Sequence, residues 1–328
     1  MDIELVYGLS GRKQQQWADF LQKMALAADE AVESTCLVWE DGDIIATGSR
    51  QENILKCIAV DPLHQGEDLT AMVLTKLRQD AFEAGHKHLF LYTKPKNQFL
   101  FSSLFFYPIA KTADVLLMED RPGGVKAFVD SLPAPVTQGR IGAAVMNCNP
   151  FTKGHRYLIQ TAAKECDHLY VFILSEDKSR FSAQDRLALV KAGTADLTNV
   201  TVLPTGPYLI SSATFPTYFL KERDKAQTVQ CLLDIAVFTK YYAPRFGITH
   251  RFVGTEPLSQ MTNQYNQALL RHLPDWGIAV REIPRATSGD IPISASYVRS
   301  LLGKGQYDTL KALVPETTYR YLEQNGLI

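Results

Sequence analysis

The 328-residue chain has no apolar run near the ~18 residues that a membrane-spanning helix needs, so no membrane partner is expected. Cysteine is scarce. Cys36, Cys57, Cys148, Cys166 and Cys231 are scattered, odd in number and without a CxxC pair, which suggests neither a disulfide framework nor a zinc knuckle. Excess charge of either sign is also missing: 34 Lys and Arg stand against 35 Asp and Glu, a net charge of -1. Nucleic-acid affinity rests on clustered cations, so no nucleic-acid partner is expected. The acidic start Met1-Asp2-Ile3-Glu4 lacks the basic and apolar regions of a signal peptide, and the expected location is cytoplasmic. There is no internal repeat and no low-complexity tract.

What is present is an ordinary globular composition, 46% hydrophobic and 21% charged. At roughly 150 residues per domain the length suggests two. The boundary is expected at 121–139. Arg121-Pro122-Gly123-Gly124 is a breaker, a short helical run from Val125 to Ser131 follows, and Pro133-Ala134-Pro135 and Gln138-Gly139 complete a connector. Domains at 1–120 and 140–328 result.

Residues 1–120 read as a mixed α/β unit. Strands are expected at 2–7, Cys36 to Trp39, Ile44 to Gly48, Ile54 to Val60, 88–93 and 112–118. Asp41-Gly42 is a hairpin signal. Helices are expected at 13–28, 67–84 and near 97–105. The cluster Phe101, Phe105, Phe106, Tyr107 reads as core. After the connector, strand and helix alternate. Strands are expected at 141–147, 168–174, 200–203, 251–254 and 278–283. Helices are expected at 154–165, 182–193, about 213–246, 261–272 and from 295 onward. This predicts a doubly wound, Rossmann-like parallel sheet.

The first strand of that sheet runs into Asn147-Cys148-Asn149-Pro150-Phe151-Thr152-Lys153-Gly154-His155 at a predicted helix start. Backbone N–H groups and the positive dipole end converge there, which suits phosphate. Gly154 allows close backbone approach, and His155 sits in the first turn. Alone, such a Gly-His pair also fits packing or capping. A second element stands near the chain end. Ile293-Ser294-Ala295-Ser296-Tyr297-Val298-Arg299 gathers two hydroxyls and an arginine at another helix start. Cys148 reads as a small buried residue rather than a nucleophile.

Thr152-Lys153-Gly154-His155 resembles the (H/T)xGH signature of the nucleotidylyltransferase superfamily, and Ile293 to Arg299 resembles its ISSTxxR signature, with one hydroxyl lost at Ala295. The longer stretch from Asn147 to Leu158 resembles the citrate lyase ligase family. So do Arg180-Phe181-Ser182 with Arg186, Gly206-Pro207-Tyr208-Leu209-Ile210-Ser211, and Val253-Gly254-Thr255-Glu256-Pro257. The layout implied is an N-terminal GNAT-like mixed α/β domain followed by a nucleotidylyltransferase domain. The activity implied is an AMP-forming acid–thiol ligase. Acetate is activated by ATP as acetyl-adenylate. The acetyl group then passes to the thiol of the CoA-derived prosthetic group on the citrate lyase acyl carrier protein, the gamma subunit.

The resemblance implies catalytic roles for Thr152, His155 and Arg299. Thr152 and His155 would face the α/β-phosphates, and Ser294, Ser296 and Arg299 the β/γ-phosphates. Asn149, Pro150, Phe151, Gly154, Arg186, Gly254 and Glu256 complete the expected ATP site. ATP is a substrate, Mg²⁺ is implied to bridge its phosphates without a nameable protein ligand, and no tightly bound cofactor is expected.

In the first domain, the stretch from Val60 to Thr70 resembles the acyl-CoA pyrophosphate loop of GNAT enzymes. It is altered: Asp68 and Thr70 stand where small residues are usual, and a carboxylate is unfavourable beside a pyrophosphate. Val60, Gln65 and Gly66 are expected to contact a pantetheine-like arm. Alternatives left open are an acetyl-CoA-dependent acetyltransferase for this domain and, for the whole chain, three others. These are a pantetheine-phosphate or pyridine-nucleotide adenylyltransferase, a tRNA acetate ligase, and a nucleotide-sensing module.

Overall fold

The computed structural model describes residues 1–29, 31–136, 138–176, 179–209, 223–256, 259–289 and 291–328. Ile210, Ser211, Pro257 and residues 213–222 of the expected long helix lie outside the described residues. The chain forms two compact units. One is Met1–Gly124, with which most of the helix Arg223–Val237 is grouped, and the other is the remainder from Val125 onward. Among the described residues, no helix is long and apolar enough to cross a membrane.

In chain order the first unit contains β1 (Asp2–Tyr7), α1 (Gly11–Lys23), β2 (Ser34–Glu40), β3 (Asp43–Gln51), β4 (Ile54–Val60), α2 (Leu69–Glu83), β5 (Phe90–Thr93), α3 (Gln98–Ser103), β6 (Tyr107–Lys111) and β7 (Leu116–Glu119). The sheet order is β1-β2-β3-β4-β5-β7-β6. Asp41 and Gly42 both take positive φ, 49° and 91°, as a two-residue hairpin turn with right-handed strand twist requires. The β4–β5 pair is parallel and is registered only through Ile54 with Phe90 and Leu55 with Leu91. This mixed sheet fits the GNAT-like expectation.

One strand of this sheet was not expected from sequence. Pro108 argues against a strand, but β6 lies at the sheet edge, where a missing N–H is tolerated. The aromatic cluster also divides: Phe101 and Phe106 are buried, whereas Phe105 is 68% exposed.

The buried stripe of α2, Leu69, Val73, Leu74, Leu77 and Ala81, packs on the sheet. Gly48 on β3 makes this contact possible, since a Cβ there would lie 2.6 Å from Val73 Cγ1. An ion pair closes the far end of the layer. Arg50 Nε donates to Asp80 Oδ2 at 2.5 Å, and both side chains are 3% exposed. Ser34 and Tyr7 hydroxyls also donate to Asp80. Burial alone would raise the Asp80 pKa. These hydrogen bonds and the Arg50 charge outweigh it and hold the carboxyl below its ordinary value.

The remaining elements are α4 (Gly124–Ser131), β8 (Ile141–Met146), α5 (Lys153–Lys164), β9 (His168–Ile173), α6 (Ala183–Gly193), β10 (Val200–Pro204), α7 (Arg223–Val237), α8 (Ala243–Phe246), β11 (His250–Gly254), α9 (Gln260–His272), β12 (Ala279–Ile283), β13 (Thr287–Ser288), β14 (Ile291–Pro292), α10 (Ala295–Leu301), α11 (Tyr307–Leu313) and α12 (Glu316–Gln324). The sheet β10-β9-β8-β11-β12 is parallel throughout, the doubly wound order expected. Strand order reverses between β8 and β11, so a crevice is placed at their carboxyl ends. The expected connector is partly helical: Phe128 of α4 lies against Tyr208, ring centroids 5.6 Å apart. The expected long helix is interrupted by a π-helical turn at Phe238–Tyr242. Pro244, which lacks an N–H and crowds the carbonyl four residues back, is the second residue of α8 just after it.

Asp80→Ala should destabilise the first unit by roughly 3 kcal/mol, the lower end for breaking a buried pair because Glu33 still contacts Arg50. Urea unfolding followed through Trp17 and Trp39 tests this. An unchanged midpoint would show that the network contributes nothing.

Candidate active site

β8 delivers the chain to the crevice at Met146, and residues 147–151 carry it into α5. Thr152 is the N-cap of α5: its Oγ1 accepts from the His155 N–H at 3.3 Å. In return the Thr152 N–H donates to His155 Nδ1 at 3.1 Å. This is a capping box with histidine in the place of the usual Glu or Gln. A backbone N–H can only donate, so Nδ1 is an acceptor and the imidazole proton sits on Nε2. Burial, and then the positive charge of Arg285, push the His155 pKa down to about 4. The ring is therefore a neutral donor of fixed tautomer near pH 7. Phe151 lies beneath it, stacked at 6.1 Å, and fills a space that Gly193 leaves by lacking a Cβ.

The second motif reaches the same place. A Cβ on Gly154 would lie 3.1 Å from the Ile293 carbonyl oxygen, so the segment entering α10 runs directly against the first turn of α5. Ser294 caps α10, accepting from the Tyr297 N–H at 3.1 Å. Arg299 then reaches across 150 residues of sequence: Nη1 donates to the Asn149 carbonyl at 2.5 Å and Nη2 to Ser296 Oγ at 3.1 Å. The loop after β9 joins them, since the Phe181 N–H donates to Asn149 Oδ1 at 3.2 Å.

The family model of the citrate lyase ligase C-terminal domain matches residues 141–322. Over 95% of its length the chain is 41% identical to the citrate pro-3S-lyase ligase of Escherichia coli (strain K12), covering 91% of that protein. It is 41% identical to the Klebsiella pneumoniae ligase, over 93% of this chain and 91% of that one. The Haemophilus influenzae ligase is 39% identical, over 94% of each. The chain belongs to the citrate lyase ligase family.

Within this citrate lyase ligase fold, Thr152, Gly154, His155, Ser294, Ser296, Arg299 and Asn149 converge at one end of the sheet. Pro150 and Phe151 are buried beneath them. Gly254 ends β11, and a Cβ there would meet Leu158 of α5 at 3.1 Å. Glu256 accepts from Arg285 Nη1 at 2.6 Å.

Arg186 needs correction. It is expected in the ATP site, but its guanidinium is taken up by the protein itself. It is fully buried, and its guanidinium donates to the carbonyls of Phe181, Asn147, Leu174 and Glu176 and to Asn147 Oδ1. Its donors hold the loops after β8 and β9 in register. Cys148 is buried and its thiol pKa is raised by desolvation, as expected for a core residue.

Two cations were given no site role from sequence: Arg180, named only within a family-like segment, and Arg285. Burial, with the charge of Arg180, lowers the Arg299 pKa, so Arg180 lies within electrostatic reach of Arg299. Arg285 follows β12 and acts on His155. Its position just past the carboxyl end of a parallel strand was the available signal.

In the first unit, a cavity of about 770 Å³ opens between β4 and β5, and Val60, Gln65 and Gly66 all line it. Gly66 and Asp68 both adopt positive φ, 97° and 55°. Asp68 stands at the N-cap of α2, so the altered loop keeps a left-handed conformation with a carboxylate present.

His155 takes up a proton below about 4 when folded but below its ordinary 6.5 when unfolded. Between these values the unfolded chain binds more protons, so nucleotide-free protein should lose stability as pH falls through that window. His155→Gln should flatten this part of the profile. Chemical denaturation at several pH values checks it, and equal slopes in both proteins contradict it.

Proposed function

We propose that the chain, acting in the cytoplasm, activates acetate with ATP and acetylates the prosthetic-group thiol of the citrate lyase acyl carrier protein, thereby activating citrate lyase. The observation that carries this reading is the junction of the two signature segments, with His155 locked as a neutral donor in the first turn of α5 and Arg299 bonded to the Asn149 carbonyl in the loop that enters α5. In the first step an acetate oxygen forms a bond to the α-phosphorus, the bond from that phosphorus to the bridging oxygen breaks, and diphosphate leaves. Acetate is already a nucleophile, so no general base is needed. The requirement is alignment and stabilisation of phosphoryl charge. In this reading His155 Nε2–H and the N-terminus of α5 face the α/β-phosphates. Ser294, Ser296 and Arg299 serve the leaving diphosphate, with Arg180 and Arg285 adding positive potential. Gly254 and Glu256 border the adenosine side.

In the second step the carrier thiol attacks the acetyl carbonyl. AMP leaves, and the thiol proton passes to solvent. Residues 140–328 would perform the first step, and residues 1–120 would hold the CoA-derived arm through Val60, Gln65 and Gly66. Holding the thiol on the same chain raises its effective concentration at the acetyl-adenylate. Mg²⁺ is expected to travel with the triphosphate. Among the described residues no group of three or more His, Cys, Asp and Glu side chains is placed to hold a metal ion, and the roles assigned rest on the chain's own side chains.

The deciding measurement is acetate-dependent exchange of labelled diphosphate into ATP without carrier. A sensor gives none, and a simple adenylyltransferase needs its own nucleotide-accepting substrate. His155→Ala should lower the exchange by on the order of 10²-fold, as for loss of a donor to developing charge, with much less effect on ATP binding. Arg299→Lys keeps the charge but loses the two-pronged geometry, and kcat/KM for ATP should fall. Near-normal exchange in both variants would place these side chains outside the chemistry.

A further inference from the structure

β4 and β5 are paired only at their first residues and diverge toward their carboxyl ends, where the cavity opens. Two structures leave those ends and form the lips. From β4 the chain enters a 3-10 turn, Pro62–His64, and from β5 it runs through Lys94 into α3. Pro62 and His64 line the cavity, but Leu63 between them does not and is 89% exposed. On the other lip Leu100 and Phe101 line the cavity, while Phe99 points away from it and is 86% exposed. Each lip thus offers to solvent a large apolar side chain that does not line the cavity, while Leu100 is exposed within the lining.

Neither lip is a loose end. Asp61 caps the turn, its Oδ1 accepting from the Leu63 N–H at 2.9 Å and its carbonyl from the His64 N–H at 2.9 Å. Behind α3, Arg78 Nη2 donates to the Leu104 carbonyl at 2.8 Å. Leu63 and Phe99 are therefore held on ordered backbone, which lowers the entropy cost of using them in an interface. The cavity wall beside them carries Lys23, Lys94 and Lys96 against the single carboxylate of Asp68.

We propose that these lips are a protein-docking surface and that its occupant is the folded carrier from which the thiol arm projects; this rests on reading the cavity as the arm's site. The arm is anchored to its carrier through phosphate, so its root is anionic and suits the lysines. An arm inside the cavity cannot cover Leu63 or Phe99, because neither side chain lines it. The body to which the arm is attached must come to the cavity mouth, and Leu63 and Phe99 are the apolar anchors it meets there.

The test uses the full chain and compares Leu63→Ser/Phe99→Ser with Val60→Trp, which fills the cavity. Acetate-dependent diphosphate exchange, KM for the arm-bearing carrier and inhibition by carrier lacking its arm are measured on each. For the double serine variant we expect unchanged exchange and thermal stability, at least a 10-fold rise in KM for the carrier, and loss of inhibition by armless carrier. An unchanged KM in this variant, with a raised KM in Val60→Trp, overturns the docking surface and leaves the arm site standing. An unchanged KM in Val60→Trp overturns the arm site and the docking surface with it. Wild-type protein that dimerises, and becomes monomeric in the double serine variant, assigns the lips to a second copy of the chain and overturns the proposal.

Discussion

The Asn149 peptide and side chain are where the second unit is tied together. Its carbonyl takes the Arg299 guanidinium, and its Oδ1 takes the Phe181 N–H. One residue thus fixes three segments: the start of α5, the loop after β9 and the first turns of α10. Asn147, two residues earlier, accepts from the buried Arg186. Without these bonds the carbonyls at the strand ends would be unpaired, which is costly where the surroundings are protein. The same bonds set where Arg299 can lie, so stability and site geometry rest on one set of contacts.

Around that hub the charge is unbalanced. Arg299 lies within reach of Arg180, and His155 feels Arg285. In the proposed reading this positive potential favours a bound anion. Of these cations, Arg285 is also bound to Glu256. The histidine is the neutral member, kept so by burial and by the capping box that occupies its Nδ1. In the proposed reading, a neutral donor of fixed orientation costs no proton rearrangement on meeting phosphate.

The first unit supplies a different kind of surface. Its cavity opens where strand pairing ends, and its altered loop has positive φ at Gly66 and Asp68.

Alternation of strand and helix, the Asp41-Gly42 turn, and the two helix-start motifs were legible from sequence, because each depends on residues close together in the chain. Periodicity, φ preference and capping chemistry are local. The Pro108 strand was not legible, because its tolerance depends on lying at an edge, which is a property of the assembled sheet. Arg186 reads the same in sequence whether it faces solvent, phosphate or four carbonyls, and only packing decided among them. The meeting of Arg299 with Asn149, and the placing of Arg180 to act on Arg299 and of Arg285 to act on His155, were likewise decided by tertiary structure. Contacts between residues this far apart in sequence are set by how strands order and helices cross, and local composition does not encode them.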